Sequence, residues 1–93
     1  MKKMTKISDN CKVVYGALVE MGNEGFARDV VEFLATKNIT KTFNSVNATL
    51  AALVGTGVIT KVAKVREKEN KMLTFYTVAD ALENAIETKE TAE

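Results

Sequence analysis

Thr40–Lys71, TKTFNSVNATLAALVGTGVITKVAKVREKENK, divides into three pieces of different character. From Lys41 to about Val54, the apolar residues Phe43, Val46, Leu50, Leu53 and Val54 recur at helical spacing, with Thr40 placed to cap the helix. Gly55-Thr56-Gly57 then breaks the pattern. Val58 to about Arg66 is rich in β-branched residues and predicts a strand. It runs into the polar Glu67-Lys68-Glu69-Asn70-Lys71, a turn sequence. Met72 to Val78, MLTFYTV, is a second strand signal, so the two strands should form a hairpin.

At about 100° per residue, the helix face opposite the apolar stripe collects Lys41, Asn44, Ser45, Ala48, Ala51 and Ala52. It has no bulky side chain and no acid. A solvated helix face usually carries spaced Glu and Lys, whereas this one is able to approach another surface closely.

Upstream, Ser8 or Asp9 caps a first helix whose stripe is Val14, Ala17, Leu18 and Met21. Gly22-Asn23-Glu24-Gly25 is a turn, and a second helix follows from about Phe26 to Lys37, with Phe26, Val30, Phe33 and Leu34 on one face. Asn38 is suited to a left-handed stop. Phe26, Phe33, Phe43 and Phe75 are expected to anchor the core. Downstream, Asp80 to about Lys89 shows a narrow stripe of Leu82, Ala85 and Ile86 on an acidic helix.

The expected class is α+β, mainly α. It comprises three helices, a two-stranded hairpin and a short C-terminal helix. Residues 1–7 form a flexible basic arm, 8–79 one domain, and 80–93 an acidic helix and tail.

A chain of 93 residues holds one core. No apolar run approaches the roughly 18 residues of a membrane span, and the basic start lacks a signal-peptide core. One cysteine, Cys11, forms no internal disulfide and suits a reducing cytoplasm, while the absence of His argues against the usual zinc sites. Neither a cofactor nor a metal is expected. No phosphate loop or nucleophile motif appears, so an enzyme is not expected either. Net charge is +1, but residues 80–93 hold five acids against Lys89, a net of −4. The first 79 residues, with twelve basic and seven acidic side chains, therefore carry +5. A basic body suits a nucleic-acid partner.

Three segments resemble winged helix-turn-helix domains, and the nearest group is the MarR-type transcriptional regulators of bacteria and archaea. They are Asp29-Val30-Val31-Glu32-Phe33-Leu34, Ser45-Val46-Asn47-Ala48-Thr49-Leu50-Ala51-Ala52-Leu53, and Gly57-Val58-Ile59-Thr60-Lys61. Tyr76-Thr77-Val78-Ala79-Asp80 is similar to the Y-x-L-T segment after their wing, with Val78 and Ala79 departing from it. The resemblance implies double-stranded DNA binding, with the third helix in the major groove and the hairpin as a wing on the backbone or minor groove. Carried over residue by residue, Thr42, Asn44, Ser45 and Ala48 would lie toward base edges, and Thr40 and Lys41 near phosphates. Lys64, Arg66, Lys68 and Lys71 would be wing contacts.

The residues support that chemistry independently. Asn bonds adenine at two points, Ser and Thr bond several base edges, and Ala packs on a thymine methyl. Residues 58–71 hold Lys61, Lys64, Arg66, Lys68 and Lys71 against Glu67 and Glu69, a net of +3 that suits phosphates. Leu82, Ala85 and Ile86 are candidates for a homodimer interface, or for packing on the first helix. The rival expectation is a protein-interaction module of the same fold, docking on a polymerase or another regulator.

Overall fold

The computed structural model describes residues 6–85. In chain order these form helix α1 (Asp9–Glu20), strand β1 (Glu24–Phe26), helix α2 (Ala27–Thr36), helix α3 (Phe43–Thr56), and strands β2 (Ile59–Arg66) and β3 (Lys71–Val78). A short 3-10 turn, Leu82–Ala85, follows. The architecture is α+β, with three helices against one antiparallel sheet.

Local chemistry sets the helix ends. The Ser8 hydroxyl accepts from the Cys11 N–H at 3.2 Å, which satisfies one of the unpaired donors of α1. The chain leaves α1 through two left-handed residues, Gly22 at φ 99° and Asn23 at φ 71°. Asn38, at φ 62°, stops α2 as its sequence predicts, and the Ile39 N–H closes back on the Leu34 carbonyl at 2.9 Å. The third helix starts later than its pattern suggests. Thr42, not Thr40, is its cap, and the Thr42 hydroxyl accepts from the Ser45 N–H at 3.1 Å. Gly55 and Thr56 continue the helix, and Gly57 ends it at φ 89°.

The expected two-stranded hairpin is part of a three-stranded sheet, in the order β1-β3-β2. The end of the segment that reads as a turn, with the first residue of the expected second helix, supplies the third strand: Glu24, Gly25 and Phe26 pair with Thr77, Tyr76 and Phe75. Between β2 and β3 the register runs from Ile59 opposite Val78 to Arg66 opposite Lys71. Because β1 reaches only to Phe75, the outer half of the hairpin is two strands wide.

The core lies between the helices and the inner end of the sheet. Val14, Leu18, Val30, Val46, Leu50, Leu53, Val58 and Ile59 are almost wholly buried there, and buried Tyr76 closes one side. Of the four phenylalanines, Phe26 is buried, Phe33 and Phe75 are partly buried, and Phe43 is 40% exposed. Phe43 is not a core anchor, because it is the first residue of α3 and sits beyond the turn that packs.

Ala85 is fully buried in the chain's own core, and Leu82 packs beside it. Ala85 is therefore not open to a second copy. Tyr15 ties this segment down, its hydroxyl donating to the Asp80 carbonyl at 2.6 Å. Ile86, the rest of the expected C-terminal helix, and residues 1–5 of the basic arm lie outside the described residues. No helix among the described residues is long and apolar enough to cross a membrane.

Candidate nucleic-acid interface

The fourteen residues of α3, FNSVNATLAALVGT, contain no charged side chain. Val46, Thr49, Leu50, Leu53 and Thr56 are buried, which turns the opposite face outward. Exposed on it are Asn44, Asn47, Ala48, Ala51, Ala52 and Gly55. Asn44, Ala48, Ala51 and Gly55 form its central ridge at helical spacing. Polar groups near the helix start are thus two amides and the capping threonine. Ser45 is only half-exposed, and its N–H is engaged by Thr42.

The two residues ahead of the helix differ in what they can offer. Thr40 is exposed, while Lys41 is half-buried and donates to Asn10 Oδ1 at 2.6 Å. Lys41 therefore joins α1 to the start of α3 as well as adding a positive charge there.

Asn47 was not singled out by its residue type, yet it marks the seam between α3 and the sheet. Its Oδ1 accepts from the Tyr76 hydroxyl at 3.3 Å. Burial pushes the Tyr76 phenol above its ordinary pKa, so it stays a donor well past neutral pH. The available signal was spacing: Asn47 follows Asn44 by three residues, on the same side of the helix.

On the hairpin, Lys61, Lys64, Lys68 and Lys71 are all exposed. Lys64 Nζ lies 4.2 Å from the centre of the Phe75 ring, which steadies the ammonium without neutralising it. Lys68 Nζ is 3.5 Å from Glu32 Oε1, a pair open to solvent. Lys61 lies opposite Tyr76 and so stands on the hairpin face nearest α3.

Arg66 has a different role from its neighbours. Its side chain is only 6% exposed and meets Asp29 Oδ1 at 2.6 Å and Glu69 Oε1 at 3.3 Å, with Glu32 Oε2 at 3.7 Å. The hydrogen bond to Asp29 holds the guanidinium even more firmly protonated than usual. Arg66 braces the hairpin tip against the first turn of α2 and is not presented at the surface. Of the expected wing contacts, Lys64, Lys68 and Lys71 are exposed and Arg66 is not, and Lys61 is exposed as well.

Between the hairpin and the helix starts lies a cleft of about 370 Å³, lined by Phe26, Arg28, Phe43, Asn47, Leu73 and Tyr76 among others. The Arg28 guanidinium stands 5.0 Å from the centre of the Phe43 ring, and its Nε lies 3.1 Å from Glu69 Oε2. No family model, curated protein or solved structure matches this chain. Among the described residues, no group of three or more His, Cys, Asp and Glu is placed to hold a metal.

Proposed function

We propose that this chain is a winged-helix protein that binds double-stranded DNA and regulates transcription in the cytoplasm. In this reading α3 enters the major groove and the β2–β3 hairpin is the wing. It is a binding protein and not an enzyme.

The observation that carries the reading is the outward face of α3, free of charge and bulk, beside a hairpin with four exposed lysines. A helix must come close to read base edges, and Ala48, Ala51 and Gly55 leave room for that approach. Asn44 has the paired donor and acceptor that adenine requires, while Asn47 beside it keeps its amide donor as its oxygen accepts from Tyr76. Thr42 at the helix start and the lysines of the wing supply the positioning contacts, which carry most of the affinity but little sequence information. The chain's one cysteine, Cys11, is buried and has no second cysteine to form an internal disulfide, in keeping with a reducing compartment.

The lack of any cation on α3 also suits a protein partner, and docking on a polymerase or regulator is the second reading. One experiment separates them. Binding to random-sequence duplex is measured across a salt series, for the wild type and for Lys64→Ala/Lys71→Ala. DNA binding predicts affinity that falls steeply with salt, and a log–log slope smaller by about 0.9 for each phosphate contact removed. Absence of duplex binding at low salt would exclude the DNA reading and leave the docking one.

A further inference from the structure

Three large apolar side chains stand exposed on the hairpin: Val62 at 57%, Val65 at 45% and Met72 at 63%. The register sorts them. Val65 lies directly opposite Met72, so the two share a face, while Val62 lies opposite Phe75 on the other face. The face of Val65 and Met72 also carries Ile59 and Tyr76, which pack on the helices at the inner end. Going outward from α3, its cross-strand pairs are Lys61–Tyr76, Ala63–Thr74 and Val65–Met72. No acid stands in these rows. Asp29, Glu32 and Glu69 instead gather around Arg66, which points to the opposite face, and Glu67 lies beyond the strand in the turn.

An apolar pair at the end of a projecting ribbon contributes nothing to the core, and water opposes its exposure. A ribbon built only to meet phosphates has no use for it. We infer that Val65 and Met72 are an apolar wedge, which the wing inserts into the minor groove against the sugars and a base step. The duplex bends as they enter. This rests on the DNA-binding reading above and adds to it which part of the wing touches the groove floor.

Charge selects this occupant. Lys61 stands in the same rows as the pair, Lys68 lies in the turn beyond it, and Lys64 and Lys71 flank it along the strands on the opposite face; all four are exposed, so the partner must offer apolar surface flanked by anions. The minor groove does so, with deoxyribose and base edges between two rows of phosphates. Side chains of this kind are used elsewhere to unstack a step and kink the helix. Steps such as TA, which deform readily, should be preferred.

The test uses the full chain and an end-labelled duplex with a central TA step. Energy transfer between the ends reports bending, and anisotropy across a salt series reports affinity. Wild-type binding should raise the transfer. The double variant Val65→Ala/Met72→Ala should remove that rise and weaken binding by at least about tenfold, since burying even one such side chain is worth about that factor. Its salt slope should not change, because every lysine remains. Met72→Lys separates the wedge from simple charge attraction. A wing that meets only phosphates would bind more tightly and with a steeper slope, whereas a wedge binds more weakly. Circular dichroism verifies that both variants fold, as expected for exposed positions. Salt-dependent binding with unchanged affinity and transfer in the double variant would overturn the wedge and leave DNA binding standing. No duplex binding by the wild type would overturn both. Binding to anionic lipid vesicles in place of duplex, lost in the double variant, would likewise reject the minor groove as the occupant.

Discussion

Removing Arg66 would strip the hairpin tip of the cation shared by Asp29, Glu69 and Glu32, leaving three carboxylates near one another. Arg66→Ala should therefore lower the melting temperature, and added salt should restore part of the loss by screening those carboxylates. Arg66→Lys should recover less than its charge suggests, because an ammonium lacks the guanidinium's planar fork. The DNA salt slope should fall less for Arg66→Ala than for Lys64→Ala. An unchanged melting temperature together with a slope as flat as that of Lys64→Ala would make Arg66 a phosphate contact after all. In the sequence, Arg66 is one of five closely spaced cations, and nothing local distinguishes it. Its partner Asp29 is 37 residues away and becomes a neighbour only through the fold. The two tyrosines give a pH prediction. Burial raises the Tyr76 phenol, and Tyr15 is raised by burial with Asp80 and Glu83 adding to it. The folded chain thus keeps protons that the unfolded chain begins to release near about pH 10. This contribution to stability is intact below that pH and is lost as pH rises through the folded values. Urea denaturation of Tyr76→Phe from neutral to strongly alkaline pH should show a shallower alkaline decline than the wild type.

The hold of α3 on its own ends determines how its outward face is presented. Thr42→Ala deletes the side-chain cap and should cost about 1 kcal/mol, read as a lower urea midpoint with unchanged steepness. Thr40→Ala, two residues earlier, should cost far less; equal losses would move the cap back to where the sequence pattern places it. Both threonines look alike in Thr40-Lys41-Thr42. What separates them is that Ile39 packs on the core and Lys41 reaches Asn10, which holds the chain outside the helix until Thr42. The helices themselves were legible because their apolar stripes repeat over ten residues or more, and Gly22 and Asn38 stop them locally. Strand β1 was not. Its three residues are too few to show a period, and its conformation comes from pairing with β3, some fifty positions later in the chain. The faces of β2 were equally hidden, since Val62, Ala63 and Val65 break the alternation. They are sorted only by the register with β3. For the candidate interface, Asn44, Ala48 and the lysines were readable from residue type and spacing, while Asn47 and the Val65–Met72 pair needed the tertiary arrangement.

Because β1 lies before α2 and pairs with β3 near the end of the domain, the sheet joins early and late parts of the chain. The same core receives Leu18 from α1, Val30 from α2, Leu50 from α3 and Ile59 from β2. No part retains a core once another is lost, so unfolding should be a single transition, with tyrosine fluorescence and far-ultraviolet dichroism giving the same midpoint. Leu50, with no exposed surface, is the most direct place to test this. Leu50→Ala should cost about 3 kcal/mol, out of a total of about 5–10 kcal/mol for a domain of this size. Separate midpoints for the two signals would mean that the sheet and helices are not one unit. Leu50 points inward from α3, and the proposed DNA face points outward, so the variant should keep its binding surface whenever it is folded. Duplex at about a hundredfold over its dissociation constant should then stabilise wild type and variant alike, by about 2.7 kcal/mol. A variant that is folded but gains nothing from duplex would show that the outward face depends on core packing. Equal stabilisation would show that α3 transmits no core strain to its surface, and that the interface is held by the caps and the sheet.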